Sequence, residues 1–105
     1  TNSGSMVGLL PAFDFLAYSA AKAALNHMML GLAHSFAKSV RINTVVIGTV
    51  LTEGYAAAGL DSKTQERLTS PDNLTGRSGT SQDVANAFLW LASPAGSWVS
   101  GQTIQ

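Results

Sequence analysis

The 105-residue chain carries six Lys/Arg, six Asp/Glu and no cysteine. Balanced charge without a basic run or aromatic-basic alternation excludes a phosphate-tracking nucleic-acid surface, and the lack of Cys excludes disulfides, thiolate nucleophiles and cysteine-based metal sites. Charged residues make up 11% of the chain, well under the roughly 25% of a soluble domain. The sequence therefore reads as part of a larger folded body, with Thr1 and Gln105 expected to be points of truncation.

In chain order, the opening TNSGSMVG has the Ser, Gly and Asn content of a loop leaving a strand. From about Phe15 to Phe36 the pattern becomes helical, because Leu25, Met28, Met29, Leu32 and Phe36 recur at spacings of three and four, with Asp14 as the expected N-cap. Ala17, Ala20, Ala21, Ala23 and Ala24 keep the other faces low, which predicts a helix covered on more than one side. His27 and His34 stand seven apart, too far for the i, i+4 pair a metal ion requires, so no metal site is expected. The apolar stretches are broken by Asp14, Lys22, Asn26 and His34, short of the roughly 20 apolar residues of a spanning helix. With no signal-peptide pattern either, a cytoplasmic protein without a membrane partner is expected.

VRINTVVIG is rich in β-branched residues, and its apolar run from Val45 to Ile47 before Gly48 predicts a parallel strand buried on both faces. Residues 49–78 read mostly as loop, interrupted by a short polar helix in DSKTQERL that Asp61 would cap. Within this region Arg77 either anchors its loop or faces a partner chain. Thr80 with Asp83 three places on has the pattern of a capping box, and Val84, Ala87, Phe88 and Leu91 keep helical phase until Ser93 and Pro94. SWVSGQTIQ then turns into a last strand. This alternation is the back half of an α/β layout, a parallel sheet with helices on both faces. Two strands cannot bury the apolar faces of two helices, so further strands are expected from before Thr1 or from another chain. Residues 1–105 are expected to form a single partial domain.

Helix geometry stacks Tyr18 and Lys22 on one face. An ordinary phenol ionises near pH ~10, and an adjacent ammonium favours the phenolate. A phenol in that setting suits a general acid that protonates a forming alkoxide, or the base that removes a hydroxyl proton in reverse. Ser5 lies thirteen residues before Tyr18, in a Gly-flanked loop that would bring its hydroxyl beside the phenol.

Asn2, Ser5, Tyr18 and Lys22 in this order resemble the short-chain dehydrogenase/reductase family, whose pattern is an Asn-x-Ser-Ser loop and, thirteen residues on, Tyr-x-x-x-Lys. The likeness continues through RIN, through Gly48-Thr49-Val50-Leu51-Thr52, and through GRSGTSQDVANAFLWLASPAGSWVSGQTI. Ile47 stands where the family usually has Pro. LTEG and SPAGSWVSGQ look closest to bacterial hydroxysteroid and 3-oxoacyl reductases.

The resemblance implies the carboxy-terminal part of a doubly wound Rossmann-type sheet, incomplete as given, in an NAD- or NADP-dependent oxidoreductase that interconverts a ketone and a secondary alcohol. It implies Tyr18 as the catalytic acid/base, Lys22 as the residue that tunes it and hydrogen-bonds the nicotinamide ribose, and Ser5 as the group that positions the substrate carbonyl. Gly48, Val50 and Thr52 would border the nicotinamide carboxamide, a placement that fits the rule that ligands bind beyond the carboxyl ends of parallel strands. Residues 49–78 would cover a small-molecule substrate, and the helix from Ala20 to Phe36 would pack in a homodimer or homotetramer. The Gly-rich dinucleotide turn, the residue choosing NAD or NADP, and the family's catalytic Asn would precede residue 1. The alternative is a non-catalytic binding or assembly module on the same scaffold.

Overall fold

A computed structural model describes residues 1–10, 15–50, 52–57, 59, 61, 63 and 74–105. They group into two compact units, Thr1–Gly48 with Ala87–Gln105, and Thr49–Asn86.

The first unit is organised by a parallel sheet in the order β1-β2-β3, made of β1 (Asn2–Ser5), β2 (Thr44–Ile47) and β3 (Thr103–Ile104). Asn2 faces Thr44 and Ser5 faces Ile47 across the first pair, and Thr44 faces Thr103 across the second. β2 is the middle strand and its Thr44, Val45 and Val46 are buried, as the apolar run predicts. The opening segment expected to be loop is a strand, so the described sheet has three strands and not two. Nothing local favours this: Asn2–Ser5 has no β-branched residue, and the segment is a strand through its pairing with β2.

After β1 a short 3-10 turn, Met6–Gly8, leads towards α1 (Leu16–Ser35). The N-cap position of α1 is Phe15, whose side chain cannot cap. Asp14, expected there, lies outside the described residues. α1 packs on β1 and on the 3-10 turn. The packing is close because two glycines permit it. A Cβ on Gly4 would sit 2.6 Å from Asn26 Oδ1 and 2.8 Å from Thr44 Cγ2, and one on Gly8 would sit 3.0 Å from the backbone of Lys22 and of Ala23. The inner stripe of the helix is therefore set by Ser19, Lys22, Leu25, Asn26, Met29 and Ala33, with Asn26 and Ala33 deepest. Leu25, Met29 and Leu32 follow the expected apolar stripe. Met28 and Phe36 depart from it and are more than half exposed, as is Leu16, so this chain leaves the outer face of α1 uncovered.

The connection into β3 is held by the RIN segment. Arg41 Nη1 donates to the carbonyl oxygens of Gly96 (2.7 Å) and Val99 (3.2 Å), and Asn43 Nδ2 donates to Val99 O (2.9 Å). Asn43 Oδ1 accepts from Gln102 N–H at 3.1 Å, and Gly101, at φ +68, turns the chain so that its N–H reaches Ile42 O at 2.8 Å. Leu91, near the end of α3 (Ser81–Ala92), is 1% exposed and anchors the core from that side. Ser93 caps the following 3-10 turn, Pro94–Gly96.

In the second unit, α2 (Glu53–Ala57) forms after Thr52. The polar helix expected over 61–68 lies largely outside the described residues. The start and end of the long connection are tied together: Val50 and Gly79 form a parallel bridge, and Gly79 N–H donates to Thr49 O at 3.1 Å. The capping box at the start of α3 is present as expected, with Thr80 N–H donating to Asp83 Oδ2 (2.8 Å) and Asp83 N–H to Thr80 Oγ1 (3.2 Å).

Candidate active site

Ser5 is the last residue of β1 and pairs with Ile47, so it leaves the sheet at the same edge as Gly48, at the carboxyl ends of parallel strands. Its backbone is extended at the N-cap position of the 3-10 turn, yet its side chain makes no capping hydrogen bond. A serine at that position would ordinarily spend its oxygen on the turn's N–H groups. Here the hydroxyl is left for something else.

Tyr18 and Lys22 lie in the first two turns of α1. The Lys22 ammonium sits 5.7 Å from the centroid of the Tyr18 ring, within cation-π range. It also donates to the carbonyl oxygen of Ser3 at 3.1 Å, two residues before Ser5. One of its three N–H bonds is thus committed to β1, which fixes the direction of an otherwise flexible side chain. Lys22 is half-buried, and Tyr18 is half exposed with its ring open to a ligand. The close approach of Gly8 to the Lys22–Ala23 backbone holds this turn of helix against the segment that follows Ser5.

Gly48 is exposed just past β2, and a Cβ there would only touch Met6 Cγ at 3.8 Å. The backbone at this sheet edge is therefore open to a flat ligand. Ser5, Tyr18, Lys22 and Gly48 belong to the first unit, and Val50 and Thr52 to the second. Within the second unit Val50 is held by its bridge to Gly79, and Thr52 is exposed just ahead of α2. The donor set suits a nicotinamide nucleoside: an ammonium with N–H bonds left for ribose hydroxyls, a serine hydroxyl, and an unobstructed glycine edge. Among the described residues no group of three or more His, Cys, Asp or Glu could hold a metal, and no helix is long and apolar enough to cross a membrane. His27 and His34 are both exposed on α1.

Two features had no sequence signal. The Ser3 carbonyl that orients Lys22 is a backbone atom that only the fold brings into reach. Asn26, one turn beyond Lys22, is 8% exposed, and neither its Oδ1 nor its Nδ2 has a partner among the described residues; Asn2 Nδ2 and Ser19 Oγ are likewise unpaired. Tyr18, Lys22 and Asn26 follow one another at four-residue spacing on the helix, but that spacing does not single Asn26 out.

Arg77 anchors its loop. It forks onto Asp83 with Nη1–Oδ2 at 2.7 Å and Nη2–Oδ1 at 2.9 Å, and Nη1 also reaches Ser78 O at 2.9 Å. The Arg77 guanidinium, followed by the Thr80 hydroxyl and N–H, holds the Asp83 carboxyl well below the usual carboxylate range.

The family model described as Enoyl-(Acyl carrier protein) reductase matches residues 2–105. The chain is 35% identical over 104 residues to an uncharacterized oxidoreductase of Mycobacterium tuberculosis, covering 99% of this chain and 39% of that protein. It is similar to the solved structure of a 7α-hydroxysteroid dehydrogenase complexed with NADH and 7-oxo glycochenodeoxycholic acid, with a TM-score of 0.81, 31% identity, and coverage of 96% of this chain and 39% of that one. It is also similar to an NADPH-bound short chain oxidoreductase of Pseudomonas aeruginosa, with a TM-score of 0.80, 28% identity, and coverage of 97% and 41%. The chain thus spans about two-fifths of the length of each of these proteins. A match running from the first strand to the last, on a parallel α/β sheet, establishes that the chain belongs to the short-chain dehydrogenase/reductase family.

Proposed function

We propose that these residues supply the catalytic part of an NAD- or NADP-dependent oxidoreductase that interconverts a ketone and a secondary alcohol on a small molecule. The observation that carries this reading is the position of Lys22, over the Tyr18 ring and bonded to the strand that ends in Ser5. The relatives support it from another side, since one solved neighbour is complexed with NADH and a 7-oxo steroid acid, and another has NADPH bound.

When bound, the nicotinamide supplies the hydride in the reducing direction and accepts it in the oxidising one. The chain handles the proton and the geometry. As negative charge grows on the carbonyl oxygen, Tyr18 gives that oxygen its phenolic proton; in reverse, the phenolate takes the proton from the alcohol. The Ser5 hydroxyl donates a hydrogen bond to the same oxygen and fixes the carbonyl at the sheet edge. The Lys22 ammonium stays beside the Tyr18 ring, held by Ser3 O, and its remaining N–H bonds are available to the ribose hydroxyls. Gly48, Val50 and Thr52 are the residues that would contact the carboxamide; much of the 49–78 span read as a substrate cover lies outside the described residues. The enzyme works in the cytoplasm as a homodimer or homotetramer; the exposed Met28 (53%), Leu30 (41%) and Phe36 (51%) on α1 supply an apolar face for that contact.

The test is Tyr18→Phe in the full-length protein. Turnover is expected to fall by at least about 100-fold, with cofactor affinity by fluorescence titration left nearly unchanged. A variant with the parent kcat overturns the role given to Tyr18.

A further inference from the structure

We infer that Arg77 and Asp83 form a positioning clasp for the cofactor-facing segment: they fix Gly79, and Gly79 fixes Thr49 and Val50. The inference rests on the reading above that Val50 and Thr52 border the nicotinamide.

The Asp83 carboxylate gathers four donors in a short stretch of chain. Its Oδ2 accepts from Arg77 Nη1 (2.7 Å), Thr80 Oγ1 (2.7 Å) and Thr80 N–H (2.8 Å), and its Oδ1 accepts from Arg77 Nη2 (2.9 Å). Capping α3 requires only the bonds to Thr80. The Arg77 fork is not part of that box; it draws residues 77–80 into a tight arc, tightened further by the bond from Arg77 Nη1 to Ser78 O. Gly79 sits at the middle of that arc. Its N–H donates to Thr49 O, and it bridges Val50 in parallel. A Cβ at Gly79 would lie 3.1 Å from Val50 Cγ2 and 3.5 Å from Thr49 O, so glycine is what allows the two segments to meet this closely. The clasp therefore acts on Val50 through one residue.

The exposure of the pair says how the effect will appear. Arg77 and Asp83 are 59% and 41% exposed, and an ion pair so open to water contributes little to global stability. Its bidentate geometry supplies orientation instead. Loss of the fork is thus read in ligand binding and in local opening at Gly79, with little change in melting temperature. A helix-stabilising role would show the opposite.

The test uses Arg77→Met and Arg77→Lys in the full-length protein, with Thr52→Ala as reference. Arg77→Met is expected to raise the Kd and KM for the cofactor about 5- to 10-fold with kcat within about twofold, and to speed amide exchange at Gly79 about tenfold. Arg77→Lys keeps the charge but lacks the fork, and is expected to recover only part of the affinity. Unchanged cofactor affinity in Arg77→Met while Thr52→Ala weakens binding overturns the clasp and leaves the reading of the 48–52 segment standing. Unchanged affinity in both overturns that reading and the clasp with it. Faster Gly79 exchange without loss of affinity also overturns the positioning role.

Discussion

The ammonium of Lys22 lies over the ring of Tyr18, 5.7 Å from its centroid, while the same group is tied to β1 through Ser3 O at 3.1 Å. One side chain thus joins the helix turn carrying the phenol to the strand carrying Ser5. Neither the charge nor the tie survives in Lys22→Met, although the apolar stem does. This substitution is expected to lower kcat at least about 100-fold and also to weaken cofactor binding, which separates it from Tyr18→Phe. Steady-state kinetics with a fluorescence titration checks both; parent-like values for kcat and Kd would remove Lys22 from the mechanism.

Gly4 and Gly8 set how closely α1 approaches the strand edge. In Gly4→Ala the new methyl meets Asn26 Oδ1 at 2.6 Å and Thr44 Cγ2 at 2.8 Å, in a place where all three residues are buried. Overpacking of this kind costs about 1–3 kcal/mol, to be read as a lower urea midpoint. Gly8→Ala pushes instead on the backbone of Lys22 and Ala23, each 3.0 Å away. It is expected to reduce kcat as well as stability, because the turn it displaces carries the ammonium.

The acid limb of stability should depend modestly on Asp83, through its cap bonds to Thr80 more than through the water-exposed Arg77 fork. Arg77 first, and then Thr80, hold its carboxyl well below the ordinary carboxylate value in the folded chain. A group depressed on folding contributes fully above its unfolded value of about 3.9, and its contribution is lost as pH falls from there towards the folded value. Melting temperatures of the parent and Asp83→Asn are therefore expected to differ by a constant amount from pH 7 down to about 5 and to converge below about 4. A difference that grows on acidification would contradict the assignment.

Arg41 bonds two carbonyls, those of Gly96 and Val99, from a partly buried position. Arg41→Met leaves both acceptors without this donor, at an expected cost of about 1.5–3 kcal/mol. Trp98 lies beside Val99 and is fully exposed, so its emission provides a local probe. Loosening of residues 93–102 is expected to show as a drop in its anisotropy ahead of global unfolding.

Elements whose cause lies within a few residues could be read directly. The Thr80–Asp83 box closes over three residues, the Val45–Ile47 run announces a strand buried on both faces, and the four-residue spacing of Tyr18 and Lys22 puts them on one side of any helix. Where the cause was distant, the reading failed. Asn2–Ser5 became a strand through Thr44–Ile47, some forty residues away. Met28 and Phe36 kept helical phase with the core but lie on the exposed side, because Gly4 and Gly8 rotate the small stripe of Asn26 and Ala33 inward.

By itself the sequence determined the alternation of elements, the residue types able to move a proton, and the order in which they occur, since periodicity and side-chain chemistry are local properties of a chain. Only the tertiary structure decided that a backbone oxygen of Ser3 orients Lys22, that Ser5 ends a strand with its hydroxyl unspent, and that Arg77 closes on Asp83 around a glycine touching Val50. Each of these is a meeting of groups that share no sequence pattern, brought about by strand pairing and close glycine contacts that no local preference encodes.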